Sequence, residues 1–319
     1  MNNTHPLVTI GIPTYNRADR YLPQALESAI SQTYSNLEIL IADNCSTDNT
    51  PMLVRSFADS RIRYVKHKKN IGFVHNTAFC VEQARGDFLL MLHDDDLIDH
   101  DFVDVCLDAV GYTVTDVGLI RTGTRWIDPD GKLRKEIPNR ANGLTLTDFF
   151  EAILMGKTGM YLCSTLFNVK RLREIGGFHS RLYHFDDVMA EIKLAAMYGR
   201  VDICEVKASN RIHPSKLTFA VTVSSWCEES LDLINLMCEL VPESEGELRA
   251  EGMRAMAEFN YGLTGKIQSP LKRFWTYCLV FEKFRYRYLP PPIKPFVLNN
   301  PFFRGARYLK RRFVQKCSS

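Results

Sequence analysis

The sequence predicts an α/β protein built on a doubly wound, mostly parallel sheet. Over the first hundred residues, apolar runs of strand length alternate with amphipathic stretches of helix length, which is the pattern of successive βαβ units. One of these runs, Phe88–Leu92, is apolar at every position, as a strand covered on both faces must be. It ends in three consecutive carboxylates, Asp94, Asp95 and Asp96, and open α/β sheets bind their ligands at the C-terminal ends of such strands.

The elements follow in order. Leu7–Ile12 reads as a strand that stops at the turn-forming cluster Pro13-Thr14-Tyr15-Asn16-Arg17. Tyr21–Gln32 reads as a helix with Leu22, Ala25, Leu26, Ala29 and Ile30 on one face, and Leu37–Ala42 as a second buried strand ending at Asp43. Thr50-Pro51 has the form of a helix start. Arg61–His67 is a third strand, and Gly72–Arg85 a helix that leads through Gly86 into the strand of the acidic triplet. Beyond residue 100 the expectations are two apolar segments, Val117–Thr122 and Trp126–Ile127, and a hairpin turn at Asp128-Pro129-Asp130-Gly131. A helix capped by Thr147 and Asp148, a strand at Cys163–Val169 and a helix from Asp186 to Tyr198 follow. Two short strands, Arg200–Val206 and Asn210–His213, precede a chain that turns helical from Ser224.

Composition narrows the class. With 319 residues, 45% hydrophobic and 24% charged, the chain has material for a real core and for about two domains. The net charge of +3 is unevenly spread. Residues 264–319 hold 13 Lys or Arg against one acid, Glu282, while the rest carries 27 basic against 36 acidic groups. A basic tail therefore follows a mildly acidic body. Nine cysteines without a CxxC fit a reducing cytoplasm. No signal peptide is apparent, and no apolar run approaches the ~20 residues of a membrane span. Neither GxGxxG nor GxxxxGK[ST] occurs, so neither a dinucleotide fold nor a P-loop is supported.

Three adjacent carboxylates are costly unless a cation neutralises them or water solvates them. Oxygen donors without a cysteine cluster suit Mg²⁺ or Mn²⁺. The alternative is a solvated acidic turn capping a helix that starts near Asp99. Asp43 can likewise be an Asx-turn residue, and Asp186-Asp187 can simply complement a helix dipole.

Four motifs in order carry a resemblance. Val8-Thr-Ile-Gly-Ile-Pro-Thr-Tyr-Asn-Arg17, Ala42-Asp-Asn-Cys-Ser-Thr-Asp48, His93-Asp-Asp-Asp96, and Ile175-Gly-Gly-Phe178 with Phe185-Asp-Asp187 together resemble the family 2 glycosyltransferases of GT-A fold, over residues 6–215. The resemblance implies an inverting, metal-dependent enzyme that takes its sugar from a nucleotide-sugar, UDP-linked, with Mn²⁺ or Mg²⁺ as cofactor. It implies that Pro13 and Thr14 cradle the base, that Asp43 accepts the uracil N3 hydrogen, and that Asp94 contacts the ribose. Asp95 matches the metal-binding aspartate of the DxD motif; the first D of that motif is here His93. Asp187 matches the catalytic base, with Asp186 standing where the family usually has Glu. His213 resembles a late motif histidine that approaches the metal or diphosphate, with a packed surface residue as the alternative; Arg211 and Lys216 are weaker phosphate contacts.

These expectations divide the chain into a catalytic domain at 1–220, with a nucleotide-binding half at 1–100 and an acceptor half at 101–220, and a helical extension at 221–319. The extension interleaves Trp275, Tyr277, Phe281, Phe284, Tyr286 and Tyr288 with Lys272, Arg273, Lys283, Arg285 and Arg287, a combination suited to an anionic membrane, to single-stranded nucleic acid, or to packing on the catalytic domain. With a glycan or lipid-linked acceptor the membrane reading is preferred and nucleic acid is not expected. The protein is then cytoplasmic and peripheral on the inner face of the membrane. A nucleotidyltransferase is the rival enzyme, but its glycine-bearing triphosphate loop has no counterpart in Pro13–Arg17.

Overall fold

The computed structural model describes residues 5–213 and 222–291. Lys216 and the segment Phe302–Phe313 lie outside the described residues.

Four parallel strands form the first half of one sheet, β1 (Val8–Thr14), β2 (Leu37–Asp43), β3 (Ile62–Lys66) and β4 (Phe88–Met91), in the order β3-β2-β1-β4. Helices α1 (Leu22–Ile30), α2 (Thr50–Ser56) and α3 (Phe73–Gln83) connect them. Every residue of β1, β2 and β4 is buried, which is why these strands read as unbroken apolar runs. One face packs Ile10, Ile12, Ile39, Ile41, Phe88 and Leu90 against Leu22 and Leu26 of α1; each fully buried side chain of this size contributes about 1.5–3 kcal/mol. The α3–β4 connection needs Gly86, because a Cβ there would lie 2.6 Å from the backbone nitrogen of Thr9.

Beyond β4 the sheet turns mixed. The short β5 (Leu97–Ile98) and helix α4 (Phe102–Asp108) lead to β6 (Leu119–Ile127), which forms a hairpin with β7 (Leu133–Ile137) across the Asp128–Gly131 turn. Helix α5 (Leu146–Leu154), β8 (Thr165–Asn168), α6 (Val169–Glu174), α7 (Asp186–Tyr198) and β9 (Arg200–Arg211) complete it, in the order β4-β8-β6-β9-β5. Strand β8 is antiparallel to both β4 and β6, and β9 runs parallel to β6.

Three expectations change here. The segments Val117–Thr122 and Trp126–Ile127 are parts of the single strand β6, and Arg200–Val206 with Asn210 onward form the single strand β9, which ends before His213. Polar residues mid-strand break both apolar patterns, and the ladder between the two strands carries register shifts near Gly123. The cap of α5 is Thr145, whose side chain accepts from the Asp148 amide, rather than Thr147 or Asp148.

Helices α8 (Val223–Leu240), α9 (Glu245–Gly265) and α10 (Pro270–Lys283) close the described chain. Leu233, Ile234 and Met237 of α8, Leu248 and Ala257 of α9, and Val280 of α10 share one apolar cluster with Phe149 and Phe150 of α5 and Ile192 and Leu194 of α7. Among the described residues no helix is long and apolar enough to cross a membrane.

Candidate active site

The strand tips build one wall. Thr14 pairs in register with Asp43, and Gly11 with Met91, so the chain segments leaving β1, β2 and β4 emerge side by side. Thr14 Oγ1 donates to Asp94 Oδ2 at 2.7 Å, and Arg17 Nε lies 4.0 Å from Asp94 Oδ1. Burial pushes the Asp94 carboxyl up to about 7 against the Thr14 hydrogen bond, with the charge of Asp95 adding to the rise. Asp43 is fully buried: its Oδ1 accepts from the Ser46 amide at 2.7 Å and its Oδ2 from the Tyr64 hydroxyl. It holds the β2 turn as an Asx residue, and a ligand N–H can reach it only by displacing Tyr64 or shifting that turn. Pro13 lies beside Ala42 in the β1–β2 ladder.

The acidic triplet is fixed from the far end of the sheet. Asp96 Oδ1 accepts from the Arg211 amide at 2.9 Å, and the Asn210 side chain donates to both its oxygens. His213 Nε2 stands 2.7 Å from Asp95 Oδ2. Arg211 is fully buried and spends its guanidinium within the protein, on the Asp95, Asp128 and Pro129 carbonyls and on Gln24. The expectation of a phosphate contact there is therefore corrected: Arg211 braces the triplet from behind. Tyr21 stacks on both Arg211, 4.5 Å from its ring centroid, and His213, at 5.2 Å.

The donor set fits a divalent ion. His93, Asp95 and Asp96 each offer a ligand atom, and these atoms lie within 4.8 Å of one another. Among the described residues His93 Nε2 is buried without a hydrogen-bond partner, its ring edge-on to Phe73 at 5.4 Å. An orphaned imidazole nitrogen beside two carboxylates is what a transition-metal site presents.

The opposing wall is the start of α7. Its first two residues are Asp186 and Asp187; upstream, α6 closes in a turn where Gly176 and Gly177 adopt φ of +88° and +74°, values that favour glycine. Asp187 Oδ1 accepts from the Val188 amide at 2.7 Å. Burial raises the pKa of both carboxyls; the charge of Asp186 adds to the rise at Asp187, whereas the neighbouring His93 opposes it at Asp186. The Tyr161 hydroxyl, which accepts from Trp126 Nε1 at 2.8 Å, feels the charges of both Asp96 and Asp187. The α7 pair thus lies within electrostatic reach of the triplet, through His93 and around Tyr161.

Sequence reasoning missed Glu229 of α8. It is fully buried and accepts from the Leu182, His184 and Phe185 amides, just ahead of Asp186. The available signal was a carboxylate at an apolar-stripe position, three residues after Trp226 and four before Leu233.

Residues 9–166 match the model of "Glycosyl transferase family 2". Chondroitin synthase of Escherichia coli is 37% identical over 131 residues, 40% of this chain but 18% of that protein. The chain thus spans less than a fifth of that relative's length. Among solved structures, S. aureus TarS 1-349 in complex with UDP-GlcNAc superposes with a TM-score of 0.67 at 14% identity, over 88% of this chain and 82% of that one. The mannosyltransferase PcManGT from Pyrobaculum calidifontis, in complex with GDP-Man and Mn²⁺, gives 0.54 at 19% identity over 89% and 87%. At these identities the structural likeness speaks for the fold alone. Its nine-stranded sheet agrees with the motif order at Pro13, Asp43, Asp95 and Asp187, and with the sequence match across residues 9–166 the chain belongs to glycosyl transferase family 2, with the GT-A-type fold.

Proposed function

We propose that this protein transfers a sugar, with inversion, from a UDP-sugar to a hydroxyl of a glycan or lipid-linked acceptor in the synthesis of a bacterial surface polysaccharide. The observation that carries this reading is the acidic cluster after β4, where His93, Asp95 and Asp96 offer ligand atoms within 4.8 Å of one another and His213 meets Asp95, with the second acidic pair Asp186-Asp187 at the start of α7. The neighbours named above with UDP-GlcNAc, and with GDP-Man and Mn²⁺, support a nucleotide-sugar donor and a divalent ion. The glycan-synthase relative supports the acceptor class.

In this reading Pro13 and Thr14 hold the base, Asp43 meets its N–H once the Tyr64 contact yields, and Asp94 takes the ribose. Asp95 and His213 hold Mn²⁺ or Mg²⁺, with His93 beside them. The ion, when bound, neutralises the charge of the departing diphosphate. Asp187 accepts the proton of the acceptor hydroxyl as that oxygen attacks the anomeric carbon. Its burial keeps its proton affinity high enough for that task, and Asp186 holds the Asp187 amide at 3.1 Å.

Residues 1–220 then form the catalytic domain and 221–319 an extension that meets the membrane from the cytoplasmic side. On α10, Leu271, Phe274 and Trp275 are 69%, 53% and 63% exposed, beside Lys272 and Arg273. Aromatics and cations on one surface suit anionic headgroups. Deleting 264–319 should lower co-sedimentation with anionic vesicles, and equal sedimentation of the two proteins would remove the membrane role.

The direct test is calorimetry of UDP with and without Mn²⁺, on wild type and Asp95→Asn. Tight binding that needs Mn²⁺ in the wild type and vanishes in the variant is expected. The same UDP affinity in all four titrations would refute the metal site.

A further inference from the structure

The residue sequence reasoning missed is also the one that ties the C-terminal helices to the chemistry. Glu229 shows 0% exposure on α8, outside the family-matched stretch 9–166. Its Oε1 accepts from the Leu182 amide at 2.6 Å, and its Oε2 from the amides of His184 at 2.5 Å and Phe185 at 3.0 Å. Among the described residues no lysine or arginine pairs with it. A carboxylate taken out of water without a counter-cation is costly, and three charge-assisted hydrogen bonds from one loop are what offset that cost.

That loop is held from several directions. Tyr183, between two of the clamped amides, adopts φ +59°, a left-handed conformation that a non-glycine residue holds only where its surroundings dictate it. Trp226, one turn before Glu229, packs on His184 at 4.7 Å and edge-on to Phe185 at 5.1 Å, and Phe259 of α9 lies 6.0 Å from Phe185. Phe185 is the N-cap residue of α7. The clamped amides therefore end one residue before Asp186 and two before Asp187.

We infer that Glu229 is the positioning residue for the base: by seating residues 182–185 it fixes where the first turn of α7 presents Asp187. This rests on the reading of Asp187 as the base. It makes α8 part of the catalytic apparatus and not a passive appendage. A plain packing role is the competing explanation, and it predicts that every property of the protein suffers together.

The test uses the full chain with Glu229→Gln, which keeps the volume and one acceptor, and Glu229→Asp, which keeps the charge but shortens the reach. Three readouts separate the explanations: amide hydrogen exchange at 182–185, UDP affinity with Mn²⁺, and UDP release from a panel of UDP-sugars. We expect faster exchange at Leu182, His184 and Phe185, UDP affinity within about two-fold of wild type, and turnover lower by roughly 10²-fold, the scale of a ~1 Å misplacement. The inference is overturned if exchange quickens while turnover holds, if exchange does not change, or if both variants lose UDP binding along with turnover. Asp187→Asn run in parallel keeps the two readings apart: unchanged turnover in that variant removes the base assignment, whatever Glu229 does.

Discussion

In the first part of the sheet, residues 8–98, most of the interior between the ends of the strands is apolar. Among the described residues its buried charge sits at the extremities, with Glu38 at the start of β2 and Asp43, Asp95 and Asp96 at the tips. In the later part, from β6 to β9, an ionic cluster lies within the apolar core. Arg121 of β6 is 1% exposed and pairs with Glu191 of α7 at 3.3 Å and Asp202 of β9 at 3.0 Å, while Asn139 donates to the same Asp202 oxygen and Arg200 pairs with the other. Helix starts vary too: α1 to α4, α7 and α9 have no side-chain cap, whereas α5, α6, α8 and α10 are capped by Thr145, Asn168, Thr222 and Ser269. The first region is held mainly by non-directional burial that any good apolar packing supplies. The second adds to its apolar cluster a set of buried ion pairs, each of which needs its partner.

The largest separation between the halves should appear in catalysis. Asp187→Asn should lower turnover by about 10²–10⁴-fold, the usual share of a general base, while leaving UDP affinity near wild type in a calorimeter. Asp95→Asn should remove Mn²⁺-dependent UDP binding itself. If both variants lost binding equally, the two acidic sites would not divide the labour between donor and acceptor.

Stability should show the next largest contrast. Arg121→Met leaves Glu191 and Asp202 buried and short of a partner, a loss of about 3–5 kcal/mol readable by urea denaturation. Adding Glu191→Leu should recover part of it, because removing both charges is far cheaper than removing one. In the nucleotide half, Ile10→Ala should cost about 2–5 kcal/mol, with no second polar-to-apolar change able to restore it. Recovery in neither half would mean the ionic core is held by something other than pairing.

The pH profile offers a smaller, directional test. Burial and Asp186 raise the proton affinity of Asp187. A base with a raised pKa stays protonated to higher pH, so turnover should rise with pH along a limb lying above the ordinary carboxylate range near 4. A limb at pH 4 would show that the acceptor site is solvated in the working enzyme.

The smallest effect belongs to the caps. Thr145→Ala should cost about 1 kcal/mol in the thermal or denaturant midpoint. Asn49→Ala, before α2, should cost less, since its side chain makes no cap hydrogen bond.

The same contrast governs what could be read without a structure. Strands β1, β2 and β4 were legible to within two residues at either end because two-sided burial writes itself as an unbroken apolar run. Asp186–Tyr198 was legible because its acids mark a helix start and Gly199 its end. Strand β6 reads as two pieces because Gly123, Thr124 and Arg125 interrupt its apolar pattern. The partner of Arg125, Asp99, lies 26 residues away, and no local pattern announces such a pairing. Arg211 was misjudged for the same reason: a basic residue next to a histidine suggests phosphate until Gln24, 187 residues earlier, is found on its guanidinium. Within the site, the residues at strand tips and at a helix start were recognisable by motif. Those that hold them, Tyr64, Tyr161 and Glu229, were not.

The bracing of the acidic triplet has a consequence for biogenesis. Asp96 takes its hydrogen bond from an amide 115 residues downstream, and Asp95 meets a histidine 118 residues downstream. During synthesis the parallel strands emerge and can pair long before β9 leaves the ribosome, so in the nascent chain Asp94 can already meet Thr14 while Asp95 and Asp96 still wait for residues 210–213. Contacts of such separation form late, because the intervening chain must first be closed into a loop. Under the proposed function, nucleotide affinity should therefore appear late in synthesis, and a binding assay on stalled chains should detect none until residue 213 is free of the exit tunnel.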